Sequence, residues 1–137
     1  MTAVTAPAST ETTVQRPSWK SGLLTAVIAA VVTTVVAVIA IAADVPMEIQ
    51  DEEIPVVGYA QMVLLWSVVG IVLARQLAKR VGHPRHTFVV ATVALTVLSF
   101  VPSVLADATV ATRAVLVLTH VIAAAVVIPR LAADLSD

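Results

Sequence analysis

The sequence predicts an all-α integral membrane protein, an up-down bundle of four membrane-spanning helices. Three observations support this prediction. Only 12% of the 137 residues are charged, whereas about 25% is typical of soluble domains. The apolar residues form four runs, at residues 22–43, 56–74, 87–105 and 110–129, each close to the roughly 20 residues that cross a hydrocarbon core. All but one of the 17 charged residues lie outside these runs.

The ends of the chain differ from the apolar runs in composition. Residues 1–18 are rich in Thr, Ala, Ser and Pro, which predicts a disordered tail. The first run resembles a cleaved signal peptide at Ala40-Ile41-Ala42, but it is longer than the roughly 7–15 apolar residues of such a peptide. We therefore expect a four-helix domain over residues 19–133, followed by a short polar C-terminal tail at 134–137.

The three links between the runs carry different charges. Residues 44–55 hold five carboxylates and no basic residue. They lack the Asp spacing and the glycine of a calcium-binding loop, so we expect a solvated acidic loop. Residues 75–86 hold four basic residues and no acid, and Gly82 and Pro84 break the helix there. The third link is so short that the last two helices must be antiparallel, with Asp107 or Thr109 as the cap of the fourth.

The basic residues predict the orientation. If the four helices alternate in direction, seven of the eight basic residues fall on one side, and only Arg113 falls on the other. The positive-inside rule then places both termini in the cytoplasm. We expect the membrane to be the plasma membrane. Basic residues close to an anionic leaflet attract its headgroups. The expected contacts with anionic lipid headgroups of the inner leaflet are Arg75, Lys79, Arg80 and Arg85.

His120 is the ionisable residue that lies deepest in any apolar run. Such a group is costly in hydrocarbon and normally finds a partner inside the bundle. Antiparallel pairing puts Thr96 at about the same depth, with Ser99 close by. The predicted intramembrane polar site consists of His120, Thr96, Ser99, Thr33, Ser67 and Trp66. A hydrogen bond from His120 to Thr96 or Ser99 would hold helices together with about 1 kcal/mol; a ligand-binding or proton-transfer role is the other interpretation.

Arg113 is the basic residue on the acidic side of the bundle. It follows the start of the fourth helix by about one turn, so its long side chain can reach outward towards the interface. We expect it to pair with Asp107 or with the acidic loop. Such a pair would be a structural tether, or an outer gate above His120.

Two segments, PRHTFVVATVALTVLSFVPSVL (Pro84–Leu105) and ATRAVLVLTHVIAAAVVIPRLA (residues 111–132), resemble a small actinobacterial family of four-helix membrane proteins that is classed as a domain of unknown function. The segments IPVVGYAQ and GIVLA fit the same pattern, so the resemblance covers residues 20–133. It implies four spans and a histidine at position 120. Members of that family often carry an acid after the proline of the third span, where this chain has Ser103. This difference weakens the hypothesis that protons pass between an acid and His120.

Function is less defined than architecture. The chain has no cysteine, and its sequence contains no recognisable catalytic, cofactor-binding or metal-binding constellation, so we expect neither an enzyme nor a cofactor. Nothing indicates nucleic-acid binding. The leading hypothesis is an accessory or interaction protein of the cell envelope that forms a homo-oligomer or joins a larger membrane complex. The alternative is a small transporter, or a bundle that binds a lipophilic ligand in the polar layer around His120.

Overall fold

A computed structural model describes residues 18–137, so the predicted N-terminal tail lies outside the described residues except for Ser18. The helices are α1 (Trp19–Ala42), α2 (Val56–Arg80), α3 (Pro84–Leu105) and α4 (Val110–Ala133). A short antiparallel hairpin, β1 (Glu48–Ile49) and β2 (Glu52–Glu53), joins α1 to α2. All four helices are long and apolar enough to cross a membrane. The predicted all-α bundle is confirmed.

Helix α2 extends further than its apolar run. It continues through Arg75 and Lys79 to Arg80, which leaves only residues 81–83 as the link to α3. Lys and Arg have high helix propensity, and cations in the last turn interact favourably with the helix dipole. Half of the basic link predicted at residues 75–86 therefore belongs to the end of α2, and residues 84–86 begin α3.

The contacts at the two ends establish the up-down topology. At one end, a Cβ atom added to Gly22 would lie 2.8 Å from Ile71 Cδ1 and 3.5 Å from Leu131 Cδ2. At the other end, the backbone N–H of Gln50 donates to the carbonyl oxygen of Asp107 over 2.9 Å. We call these the terminal end and the hairpin end. Helix α1 packs against α2 and α4, and α3 packs against α4 and α2.

Small residues bring α1 close to its neighbours, and α1 is more buried than the other three helices. Such residues let helix backbones approach each other, which is how membrane helices gain packing contacts without a hydrophobic driving force. Its buried residues are Gly22, Thr25, Ala26, Ala29, Ala30, Thr33, Ala37 and Ala40.

The core at the terminal end contains large side chains. Phe88, Ile71 and Leu131 are fully buried, and Leu135 joins the same cluster. The Asp137 carboxylate oxygen Oδ1 accepts hydrogen bonds from the backbone N–H groups at the start of α3, at 2.9 and 3.3 Å, groups that have no acceptor within their own helix. Residues 134–137, expected to form a tail, are thus packed onto the bundle.

The core at the hairpin end is smaller. Its buried members are Ala37, Ala40, Met47 and Tyr59, and residues of α4 pack against them. The hairpin turns through Gln50 and Asp51, whose φ angles of 55° and 61° are the left-handed values that two-residue hairpin turns need. The acidic segment, expected to be a solvated loop, is therefore an ordered hairpin that carries exposed carboxylates.

Candidate functional site

The structure divides the predicted polar layer between two sides of the bundle. Thr33 is fully buried and Ser67 is 5% exposed, but Trp66 is 66% exposed. Consecutive residues on a helix point about 100° apart, and the buried stripe of α2 includes Ser67, Ile71 and Ala74. Trp66 therefore lies on the outward face of α2, and the prediction that it belongs to the polar layer inside the bundle needs this correction.

The hydroxyl groups at mid-depth bond to their own helices. Thr33 Oγ1 donates to the Ala29 carbonyl over 2.9 Å. On α3, Thr96 Oγ1 donates to Thr92 O over 2.8 Å, and Ser99 Oγ donates to Thr96 O over 2.6 Å. A carbonyl one turn earlier is always within reach of such a side chain. These hydroxyl groups therefore donate no hydrogen bond to another helix.

His120 follows the same rule. Its Nδ1 atom lies 2.7 Å from the carbonyl oxygen of Leu116, and because a carbonyl only accepts, Nδ1 carries the proton. The expected bond to Thr96 or Ser99 is not formed. Instead the half-buried ring meets Phe100 of α3 edge to face, with ring centroids 6.5 Å apart and planes at 90°. Phe100 was not predicted from the sequence, because only residues able to form a hydrogen bond were considered as partners of His120.

No ion pair joins Arg113 to Asp107 within residues 18–137. Arg113 Nε is buried without a hydrogen-bond partner there, as are the Tyr59 hydroxyl and Thr34 Oγ1. Asp107 contributes its backbone carbonyl instead of its carboxylate: this carbonyl accepts a hydrogen bond from Gln50 N. The proposed salt-bridge tether is thus replaced by a backbone hydrogen bond between the two loops.

Thr112 completes the connection between the loops, and sequence reasoning missed it. Its fully buried hydroxyl donates to the carbonyl oxygen of Pro46. Of the two predicted caps of α4, Thr109 is the one used: its Oγ1 accepts from Thr112 N over 3.2 Å. The two threonine hydroxyls also lie 2.9 Å apart. Because the Thr112 proton is engaged by Pro46, Thr109 is the donor in that pair.

Two open hollows stand out on the described part of the chain, and His120 lines neither. One, of about 310 Å³, lies at the hairpin end and is lined by Pro46, Glu48, Gln50, Asp51, Asp107, Ala108 and Thr109. The other, of about 270 Å³, lies between α1 and α4 at the terminal end. Within residues 18–137, no group of three or more His, Asp or Glu side chains is placed to hold a metal ion.

The four basic residues predicted to contact lipid are not equivalent. Arg75 is half-buried, and its guanidinium carbon lies 5.2 Å from the centroid of the Trp19 ring, within cation–π distance. Lys79, Arg80 and Arg85 are exposed at the terminal end. Three of the four therefore present their charge to the surroundings, and Arg75 also holds α1 against α2.

One of the comparisons with known proteins gives a match. A protein-family model, described as a family of unknown function (DUF6069), matches residues 13–137. No curated protein and no solved structure matches the chain. The family match carries no source organism, so an actinobacterial origin stays a prediction. With four helices of membrane-spanning length and a family match over nearly its whole length, this small membrane protein belongs to the family of unknown function DUF6069.

Proposed function

We propose that this protein is a non-enzymatic accessory protein of the cell envelope that works by assembling in the plane of the membrane with a second copy of itself. The observation that carries the proposal is the position of Trp66. This residue is 66% exposed on the outward face of α2. It lies ten residues after Val56, about 15 Å along the helix at 1.5 Å per residue, which is near the middle of a hydrocarbon core of about 30 Å.

Tryptophan is unusual at this depth. It is normally enriched at the membrane–water interface, where its ring lies in apolar surroundings and its N–H can reach polar groups. Within residues 18–137, no acceptor bonds to the indole N–H of Trp66. Hydrocarbon offers no acceptor either, and an unsatisfied donor there is costly. A protein partner at mid-depth would supply both the acceptor and packing for the ring, and tryptophan is among the residues that contribute most at interfaces.

A second copy of the chain carries a suitable acceptor. Thr96 on α3 is partly exposed and lies twelve residues from the start of that helix at Pro84, a depth similar to that of Trp66. Its proton is engaged by Thr92 O, but a hydroxyl oxygen retains lone pairs that can accept. The α2 face of one copy and the α3 face of the next are therefore complementary in depth and in hydrogen bonding.

Fluorescence quenching by lipids that carry bromine at mid-chain tests this proposal. The chain has two tryptophans, so Trp19→Phe leaves Trp66 as the only indole. In vesicles with little protein we expect strong quenching of Trp66. Quenching should fall as the protein-to-lipid ratio rises, because a neighbouring copy displaces lipid from the ring.

A matched control is available at a similar depth on α1, a helix that takes no part in the proposed interface. Val31 is 57% exposed, so a chain with Trp19→Phe, Trp66→Phe and Val31→Trp carries its single indole on a different lipid-facing site. Its quenching should not change with protein density. If Trp66 stays equally quenched at every ratio, self-assembly through this face is refuted, and a contact with a larger membrane complex becomes the alternative to test in native membranes.

The proposed location is the cell membrane, with both termini on the cytoplasmic side. This orientation is supported by the sorting of basic residues to the terminal end and by the positive-inside rule. Cysteine introduced at Gln50, in the exposed hairpin turn, should react with an impermeant maleimide on intact cells. Cysteine at Gly82, which has open space around it, should react only after the cells are opened. The reverse pattern would refute the orientation.

A further inference from the structure

A groove between α1 and α4 at the terminal end combines an apolar floor with a polar rim. The floor is formed by Leu24, Ile28 and Val126, and the rim by Ser21 and Arg130; the hollow has a volume of about 270 Å³. We propose that this groove binds one anionic phospholipid, with the phosphate at Arg130 and Ser21 and an acyl chain along the floor. This site is separate from the Trp66 face and does not depend on the proposed assembly.

The charges around the groove favour an anion. None of its lining residues is acidic, and Arg130 makes no ion pair or hydrogen bond with any residue from 18 to 137. Lys20 lies one turn before Leu24 on the same face of α1 and is exposed, so a second cation stands beside the rim. The planar guanidinium of Arg matches the geometry of a phosphate group, and a cation that borders hydrocarbon is stabilised by a partner of opposite charge.

Of the two hydroxyl groups that line the groove, one is engaged within α1 and the other is available to donate to a ligand. The hydroxyl of Thr25 is engaged, because it donates to the carbonyl oxygen of Ser21 over 2.9 Å. The hydroxyl of Ser21 has no partner among the described residues, so it can donate to a phosphate oxygen. Ser21 and Arg130 line the same hollow, which allows one phosphate to contact both.

The groove also has the depth of a lipid molecule in one leaflet. Arg130 lies three residues before the end of α4, and Ile28 lies nine residues after the start of α1. At 1.5 Å per residue, these positions are about 4.5 and 13.5 Å from the terminal end. Half of a hydrocarbon core of about 30 Å is 15 Å. The rim therefore lies near headgroup level, and the floor continues almost to the membrane centre.

Native mass spectrometry of the full-length chain in mild detergent tests the proposal with phosphatidylglycerol as the probe. Phosphatidylcholine with the same acyl chains is the zwitterionic comparison. We expect one phosphatidylglycerol to bind more tightly than any that follow, and more tightly than phosphatidylcholine. Arg130→Gln should weaken this first binding event about fivefold, since one basic residue near an anionic surface contributes about 1 kcal/mol; Arg130→Lys should restore part of it.

Two matched pairs of variants serve as controls. One pair distinguishes binding at this site from nonspecific attraction of anionic lipid to the basic surface, and the other distinguishes a filled groove from the general effect of adding a bulky side chain to α1. Arg80→Gln removes one exposed charge at the same end, and should weaken the first binding event less than Arg130→Gln. Leu24→Trp fills the floor but leaves the rim, and should also weaken binding. Ile39→Trp makes the same change at an equally exposed position of α1, since Leu24 and Ile39 are 62% and 61% exposed, and should have no effect.

Other results would overturn the proposal. Equal losses from Arg80→Gln and Arg130→Gln would mean that the whole basic surface attracts lipid without a defined site. Unchanged binding in Leu24→Trp would mean that no acyl chain occupies the groove. Competition by inorganic phosphate as effective as that by lipid would assign the rim to a free anion.

Discussion

At the terminal end of the bundle, three large side chains, Phe88, Ile71 and Leu131, are fully buried among residues of α2, α3 and α4, and Gly22 of α1 packs directly against them. At the hairpin end, the buried cluster contains two alanines, Met47 and Tyr59, and no residue of α3 belongs to it. Loops hold that end together: Gln50 bonds to Asp107 and Thr112 bonds to Pro46. The terminal end is stabilised mainly by close packing of large side chains, whereas at the hairpin end a smaller apolar cluster is supplemented by hydrogen bonds between loops.

This difference indicates which kinds of substitution should destabilise each end. Close packing is sensitive to added volume, because neighbouring side chains have little room to move. A connection made by single hydrogen bonds is sensitive to the loss of a donor, because the acceptor is then left without a partner. The hairpin end also holds two buried polar atoms without described partners, Arg113 Nε and the Tyr59 hydroxyl, whereas the terminal end holds one, Asp134 Oδ2. We expect it to open before the terminal end does.

The largest effect is expected from Gly22→Ala at the terminal end. The new Cβ would lie 2.8 Å from two carbon atoms of Ile71, closer than packed carbons allow, and overpacking of this kind costs about 1–3 kcal/mol. Gly58→Ala is the control, since its Cβ would meet only Pro55 Cγ at 3.8 Å. Thermal melts in detergent should show a clear loss for Gly22→Ala and none for Gly58→Ala. Equal melting temperatures would mean that the contact at Gly22 is not close-packed.

Thr112→Val should weaken the hairpin end. The change keeps the shape of the side chain but removes the donor to Pro46 O, which should cost about 1 kcal/mol. Hydrogen exchange of the Gln50 amide, which bonds to Asp107 O, should become faster. Thr92→Val is the matched control, because the Thr92 hydroxyl bonds to Phe88 O of its own helix. If the Gln50 amide is unaffected by Thr112→Val, the two loops do not depend on this bond.

A smaller effect is expected from His120→Leu in the middle of the bundle. The variant loses a hydrogen bond to its own helix and the edge-to-face contact with Phe100, and a ring pair of this kind contributes about 0.5–1.5 kcal/mol. His120→Phe keeps the ring contact and should melt close to the wild type. Loss of a cellular phenotype in both variants at normal abundance would instead show that the imidazole itself has a function, and would revive the ligand-binding or transport alternative.

The smallest predicted effect has the opposite sign. Asp51 has a φ of 61°, a left-handed conformation that costs most L-residues about 1–2 kcal/mol and glycine almost nothing. Because Asp tolerates this region better than most residues, Asp51→Gly should stabilise the hairpin by only about 0.5 kcal/mol. The Ile54 amide, which bonds to Met47 O over 2.8 Å, should exchange more slowly. Glu48→Gly, in the strand, should make it exchange faster.

Membrane spans were the most predictable feature. Their length and composition are local properties, so the four apolar runs indicated the four helices within a few residues at most boundaries. The exception was the end of α2, because the prediction ended this helix with its apolar run although the Lys and Arg residues that follow have high helix propensity.

What the sequence determined by itself was the all-α bundle, its four spans and the short turn between α3 and α4. Only the tertiary structure decided which face each helix presents, and this placed Trp66 on the outside and Ser67 inside. It also decided which groups interact. The ring of Phe100 contacts His120, the Pro46 carbonyl accepts from Thr112, and the Asp137 carboxylate accepts from the N–H groups at the start of α3. The physical reason is that rotation and tilt of a helix depend on the packing of all its neighbours together, whereas the number and length of spans depend on each segment alone.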